Sequence, residues 1–175
     1  MDDWFEAQVE EHGISIHAYL TRRTVSGVAD DLLGDVWVAA YRARSSYDPS
    51  RGSARAWLFG VARHVLHGYY RKQRFRVRRL VDRPIDETAA VDARLDAAAL
   101  GPALRTALRE LPAVERELLL LVAWEDLTPT DAAQVLGIPA GTARSRLHRA
   151  RQRMDERLSG SSRTPDERTR QEADR

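Results

Sequence analysis

None of the 175 residues is a cysteine, so disulfides and thiolate metal sites are excluded and a reducing cytoplasm is the simplest compartment. Lysine is nearly absent too: Lys72 stands alone against 27 arginines, whose planar forks favour bidentate contacts to phosphates and bases. The five histidines are scattered, and no spacing gathers them into a metal site. No stretch approaches the roughly eighteen consecutive apolar residues of a membrane span. The N-terminal MDDWFEAQVEEHG is acidic where an export signal would be basic and then apolar. These absences predict a soluble, cytoplasmic protein without membrane insertion. Also missing are a glycine-rich phosphate loop, a metal-ligand cluster and a nucleophile constellation, so neither an enzyme nor a cofactor is expected. Asp30, Asp31 and Asp35 lie close together, but without further spaced ligands they read as a solvated or partner-facing acidic edge.

What the chain does have is charge arranged in blocks. The formal net charge is only +2, yet residues 1–50 hold 4 basic and 9 acidic side chains, and residues 51–83 hold 10 basic against 1 acidic. The sign then reverses: 4 basic against 10 acidic over residues 84–143, and 6 against 2 over residues 144–158. Two acidic-then-basic units in succession suit two lobes that each present one face to a polyanion and another to a different partner.

Helical periodicity dominates and no alternating strand pattern is found, which predicts an all-α chain. One helical segment is expected from Ile14 to about Thr24, with a break at Ser26 and Gly27. In the next segment Val28, Leu32, Leu33, Val36, Trp37 and Ala40 form an apolar stripe opposite Asp30, Asp31, Gly34 and Asp35. The stretch SSYDPSRGS, residues 45–53, reads as a loop. A long helix beginning near Ala54 places Leu58, Val61, Ala62, Val65, Leu66 and Tyr69 on one face, and Arg63, His64, His67, Tyr70, Arg71 and Arg74 on the other. Residues 80–101 carry few large apolar side chains and are expected to be a linker, helical in part at its C-terminal end. Helical patterning resumes after Pro102. Leu118, Leu119, Leu121 and Val122 are the expected second core, and residues 159–175, without hydrophobic anchors, an expected disordered tail.

The segment LTPTDAAQVLGIPAGTARSRLHRAR carries helix punctuation. Thr128 can cap a short helix with Pro129 at its first position, Gly137 can supply the left-handed stop, and a second helix can start at Pro139 or Ala140. Helix, glycine turn and helix, with small Ala132 and Ala133 at a close crossing, is the helix-turn-helix pattern. At roughly 100° per residue, Ala143, Leu147, Ala150 and Met154 form a narrow seam. Opposite that seam sit Ser145, His148, Arg149 and Gln152, which can hydrogen-bond base edges. Arg144 and Arg151 on one side, with Arg146, Arg153 and Arg157 on the other, stand where groove walls would place phosphates. This motif alone leaves a repressor, an activator and a polymerase subunit equally open.

Both halves together narrow the choice. LRELPAVERELLLLVAWEDLTPTDAAQVLGIPAGTARSRLHRAR, residues 108–151, resembles region 4 of bacterial sigma factors. ADDLLGDVWVAAYRARSSYDPSRGSARAWLFGVARHVLHGYYRK, residues 29–72, resembles their region 2. The order and the linker of about twenty residues resemble the extracytoplasmic-function (ECF) subfamily of sigma-70 sigma factors. The specific runs are L-P-x-x-x-R, Leu111 to Arg116, and G-T-x-x-S-R-x-x-R-A-R, Gly141 to Arg151.

The resemblance implies two small helical domains: residues 1–79 as region 2, 80–101 as linker, 102–158 as region 4 and 159–175 as tail. It implies binding to core RNA polymerase, promoter-specific initiation and help in opening promoter DNA, with an anti-sigma factor as a further partner. Asp31, Leu32, Asp35 and Val36 would contact the polymerase. Arg51, Arg55, Trp57, Arg63, His64, His67, Tyr70, Arg71 and Arg74 would capture the melted minus-ten element. Gly141, Thr142, Arg144, Ser145, Arg146, His148, Arg149, Gln152 and Arg153 would read the minus-thirty-five element. The alternative is a stand-alone helix-turn-helix regulator. The chain departs from the family's usual residues at Gly34 for Gln, His64 for Asn, Gly68 for Asp and Ala143 for Val.

Overall fold

The computed structural model describes residues 3–25, 27–78 and 101–161. The first helix, α1 (Asp3–Thr21), starts well before the expected Ile14 and stops short of Thr24. Phe5, His12, Ile16, Tyr19 and Leu20 are its buried face, interrupted in sequence by Glu6, Glu10, Glu11 and Gly13, which hide the period. Ile14, at the head of the expected segment, is instead 87% exposed. Helix α2 (Ala29–Ala43) follows the predicted stripe, burying Ala29, Leu32, Val36 and Ala40 against α1 and α3.

The expected loop contains two short 3-10 turns, Arg44–Ser46 and Pro49–Arg51. Asp48 organises the second, its carboxylate accepting from the Ser50 amide at 2.9 Å and the Ser50 hydroxyl at 2.7 Å. Ser53 then caps α3 (Ala54–Arg78), its hydroxyl accepting from the Ala56 amide at 3.1 Å. The predicted α3 stripe is buried or half-buried throughout. Ala56 and Phe59 widen it to a second face, with Phe59 edge-on to Tyr19 at 5.3 Å between centroids.

Beyond Gly101 come α4 (Pro102–Arg109), α5 (Ala113–Ala123), α6 (Pro129–Leu136) and α7 (Ala140–Ser161). Among the described residues there are seven α-helices and no strand, and no helix is long and apolar enough to cross a membrane. The last helix carries three residues beyond Leu158 that were expected in the tail. The expected linker, apart from Gly101, and the expected tail beyond Ser161 lie outside the described residues.

The two halves share a core. One buried cluster joins Ile16, Tyr19, Leu58 and Phe59 of the first half with Leu118, Leu121, Leu127, Ala132 and Ala133 of the second. A separate cluster inside the second half holds Ala107, Leu108, Leu111, Leu120, Ala150 and Met154. The expected second core is therefore divided: Leu118 and Leu121 face the first half, Leu119 and Val122 are half-buried, and Leu120, outside the expectation, belongs to the second cluster. Consecutive leucines leave no polar side on α5, so it can serve two clusters at once.

Candidate nucleic-acid interface

The helix-turn-helix forms for the reasons its sequence suggests. The Thr128 hydroxyl accepts from the Asp131 amide at 3.1 Å, and Pro129 occupies the first turn of α6, where no intrahelical donor is needed. Gly137 stands at φ +65°, a left-handed conformation glycine adopts without a Cβ penalty. The Ile138 amide then bonds to the Ala133 carbonyl at 3.0 Å and closes the helix end.

In α7, Ala143, Leu147, Ala150 and Met154 are all buried. Arg144, Ser145, His148, Arg149, Arg151, Gln152 and Gly141 are exposed, while Thr142, Arg146 and Arg153 are half-buried. The Ser145 hydroxyl donates to the Thr142 carbonyl at 3.0 Å, leaving its lone pairs outward to accept. Two arginines are tethered from behind by Glu115 of α5, a side chain only 8% exposed: Arg153 pairs with its Oε2, and Arg149 Nε lies 3.9 Å from its Oε1. Arg157 is held by Glu110. Nothing local in the sequence marks Glu115, since its partner Arg153 lies 38 positions away.

The residues expected at the melted element gather on α3 and the loop before it. Arg51, His64, His67 and Arg71 are exposed; Arg55, Trp57, Arg63, Tyr70 and Arg74 are half-buried. Partial burial and the charge of Arg63 hold His67 below the ordinary histidine value, so it is a neutral hydrogen-bonding ring near pH 7. Trp57 stands in a cluster with Tyr47 (5.5 Å) and Trp4 (6.4 Å), and Trp4 stacks on Tyr47 at 5.0 Å. Trp4 and Tyr47 were not among the expected site residues. The Tyr70 hydroxyl donates to the Arg23 carbonyl, tying α3 to the turn after α1.

On α2, Asp31 and Asp35 are exposed on one side with Gly34 and Val38. Leu32 and Val36 point inward, at 5% and 0% exposure, packed in the shared core. Of the four residues expected to contact the polymerase, the acidic pair is therefore at the surface and the apolar pair beneath it.

Between the halves lies a cluster that periodicity could not reveal. Glu125, just past α5, has a side chain only 1% exposed and is gripped by two arginines from the turn after α1. Arg23 Nη1 donates to Oε1 at 2.8 Å, and Arg22 Nη2 pairs with Oε2. Arg23 also reaches Glu117 at 3.4 Å and lies over the Tyr19 ring at 4.0 Å. Burial works to lower the Arg23 pKa, but Glu117 and Glu125 outweigh it and hold the guanidinium charged, above its usual value. Arg55 Nη2 donates to the Glu125 carbonyl at 2.7 Å, and the Ser53 hydroxyl to Asp131 Oδ1 at 2.9 Å. No group of three or more histidine or carboxylate side chains suited to a metal occurs among the described residues.

Comparison with known proteins bears on both halves. Residues 8–76 match the family described as Sigma-70 region 2, and residues 102–154 that described as Sigma-70, region 4. The chain is 36% identical over 127 residues to the ECF RNA polymerase sigma factor SigC of Mycobacterium tuberculosis, covering 71% of this chain and 67% of that protein. It is 31% identical over 150 residues to the ECF RNA polymerase sigma factor SigF of Caulobacter vibrioides, covering 83% and 80%. Among solved structures, CnrH in complex with the cytosolic domain of CnrY is similar with a TM-score of 0.62 at 27% identity, over 93% of this chain and 92% of that one. Both regions in order disfavour the stand-alone regulator.

Proposed function

Because the chain belongs to the sigma-70 family of RNA polymerase sigma factors, in its ECF group, we propose a division of its promoter work among the surfaces described above. The chain is an initiation factor and not an enzyme: it directs core RNA polymerase to specific promoters. The carrying observation is α7, whose one face is wholly buried while Ser145, His148, Arg149 and Gln152 stand exposed on the other. Set in a major groove, these four side chains read base edges of the minus-thirty-five element, with Gly141, Thr142, Arg144, Arg146 and Arg151 against the backbone. Arg153, tied to Glu115, shapes that face and contacts phosphate from its edge.

The loop and α3 take the minus-ten element. Arg51, Arg55, Arg63, Arg71 and Arg74 form the basic track for a single strand, and His64, His67 and Tyr70 meet its bases. Trp57 acts mainly by holding Trp4 and Tyr47 in place. Asp31 and Asp35 on α2 meet a basic surface of the polymerase, supported from beneath by Leu32 and Val36. Residues 1–79 act as one domain and 102–158 as the other, in the cytoplasm. CnrH is described with the cytosolic domain of CnrY bound, and we extend to this chain the same kind of restraint by an anti-sigma factor.

The test combines purified chain with sigma-free core polymerase and a bank of promoters. Stable binding and initiation from a subset is the expected result. Duplex binding by the chain alone, with no initiation from any promoter, would overturn the reading.

A further inference from the structure

An arginine that reads a base must be kept from the phosphates on either side, which attract a mobile guanidinium whatever the sequence. On α7 Arg149, Arg153 and Arg157 follow one another at intervals of four and form one stripe along the helix. All three are backed by acid from the same half: Glu115 serves Arg149 and Arg153, and Glu110 serves Arg157. Among the described residues no acidic side chain lies within ion-pair distance of Arg144, Arg146 or Arg151. The helix thus carries two kinds of arginine, and the base reader Arg149 belongs to the backed kind.

The placement of Glu115 adds a second argument. It lies in the first turn of α5, where an acid gains from the helix dipole without leaving water. Its side chain is nevertheless buried and turned toward α7. The adjacent Arg116 faces elsewhere, its Nη1 donating to the Arg109 carbonyl at 3.2 Å at the end of α4. The two oxygens of Glu115 are divided: Arg153 Nη1 donates to Oε2, and Oε1 is left 3.9 Å from Arg149 Nε. That second contact is longer than a hydrogen bond and acts through charge. It engages the inner edge of the planar guanidinium and leaves the Nη pair on the outer side, where a fork onto a base is made.

We propose that Glu115 is a positioning residue for promoter reading: it holds the Arg149 guanidinium toward a base edge and, with Arg153 as its anchor, keeps both arginines from turning onto phosphates. The proposal rests on the assignment of Arg149 to the minus-thirty-five element. Its physical basis is preorganisation. A free arginine loses rotamer freedom when it forks onto a base, and part of that loss is met beforehand where a buried carboxylate fixes the group. Division of labour between the two arginines keeps the arrangement stable on DNA. Arg153 stays with the buried carboxylate, so Arg149 advances to the base without leaving an uncompensated charge behind it.

The test binds the full chain to core polymerase and titrates it with duplex promoters carrying each base pair in turn at every minus-thirty-five position. The parent should prefer one base pair at the Arg149 position about tenfold or more, and Arg149→Ala should remove that preference. Glu115→Gln keeps the shape of the side chain and removes its charge. It should cut the preference at that position alone to about threefold or less, since the fork is no longer pre-set. Affinity for a mixed-sequence duplex should rise, and its fall with log salt should steepen by about one unit, as one more arginine meets a phosphate. In the Arg149→Ala background, Glu115→Gln should change base preference no further.

Glu110→Gln removes the same charge behind Arg157 and should leave base preference as in the parent, which separates positioning from a general change of charge. If Glu115→Gln loses helical content by circular dichroism, Glu115→Asp, which keeps the charge and shortens the reach, is read in its place with the same loss of preference expected. Uniform weakening on every duplex at an unchanged salt slope would show that Glu115 only stabilises the fold. Full base preference in the Glu115 variant, or an equal loss in the Glu110 variant, would also overturn the proposal. A parent complex with no preference at any upstream position would instead sink the promoter reading on which the proposal stands.

Discussion

Arg149 and Arg153 differ by one helical turn and both reach Glu115, yet the proposed reading gives them different work. Arg149 has its side chain 54% exposed and only its Nε near the carboxylate, so its outer nitrogens are free to fork onto a base. Arg149→Ala should cost about 1–3 kcal/mol in promoter binding and relax specificity at one upstream base pair, as read by binding to a panel of single-base variants. An equal loss on every sequence would place Arg149 on a phosphate. Arg153→Ala should instead lower the melting temperature, because it leaves the buried Glu115 short of its nearest cation at a cost of about 1–2 kcal/mol after allowance for the exposed arginine. His12 supplies a pH dependence. Burial holds it below the ordinary value of 6.5, with Glu11 pulling it up and Arg55 pushing it further down. The unfolded chain then takes up a proton more readily than the folded one, so the contribution is intact above pH 6.5 and is lost as pH falls toward the folded value. Melting temperature should drop on acidification from about pH 7.5 to 5.5, and His12→Gln should flatten part of that slope. A steep slope in both proteins would assign it elsewhere. These roles were only partly legible in sequence: the helical wheel placed Arg149 toward the reading face, but Glu115 and the neighbours of His12 are contacts between helices.

At the scale of elements, helix punctuation was the most readable feature. Thr128, Pro129 and Gly137 each occupy the position their chemistry suits, because caps and left-handed stops depend on a few adjacent residues. Thr128→Ala should destabilise the chain by about 1 kcal/mol. Gly137→Ala should cost a similar amount, about 1 kcal/mol, from backbone strain alone, since no atom crowds that position. Urea titration of each variant checks both, and a neutral Gly137→Ala would mean the turn adopts another conformation. Helix α1 was less readable. Its buried face uses His12 and Tyr19 as well as Phe5, Ile16 and Leu20, and charged residues fall between them, so the apolar period emerged only from Ile14 onward. Helix α5 misled in the opposite sense, since a run of leucines carries no period and gives no sign of which side faces which cluster.

At the scale of the whole molecule, the two helical halves that the charge blocks suggested share a buried cluster among the described residues. A core cluster running from Tyr19 and Phe59 to Leu118 and Ala132 couples the halves, so thermal unfolding of the free chain should be a single calorimetric transition. Glu125→Gln should split it in two, and a split transition in the parent chain would show that the shared core does not couple them. Composition and local pattern by themselves determined the all-α class, the helix-turn-helix, the exposed polar face of α7 and the basic face of α3, because each depends on residues within a few turns of one another. Resemblance of both runs to sigma regions supplied the family. Only tertiary structure decided that Leu32 and Val36 are core, that Trp57 packs with Trp4 and Tyr47, and that Arg22 and Arg23 meet Glu125 about a hundred residues away. Arg22 and Arg23 even belong to the acidic block, where net charge points away from them. A buried ion pair is a relation between distant points of the chain, set by how helices pack, and no local period encodes it.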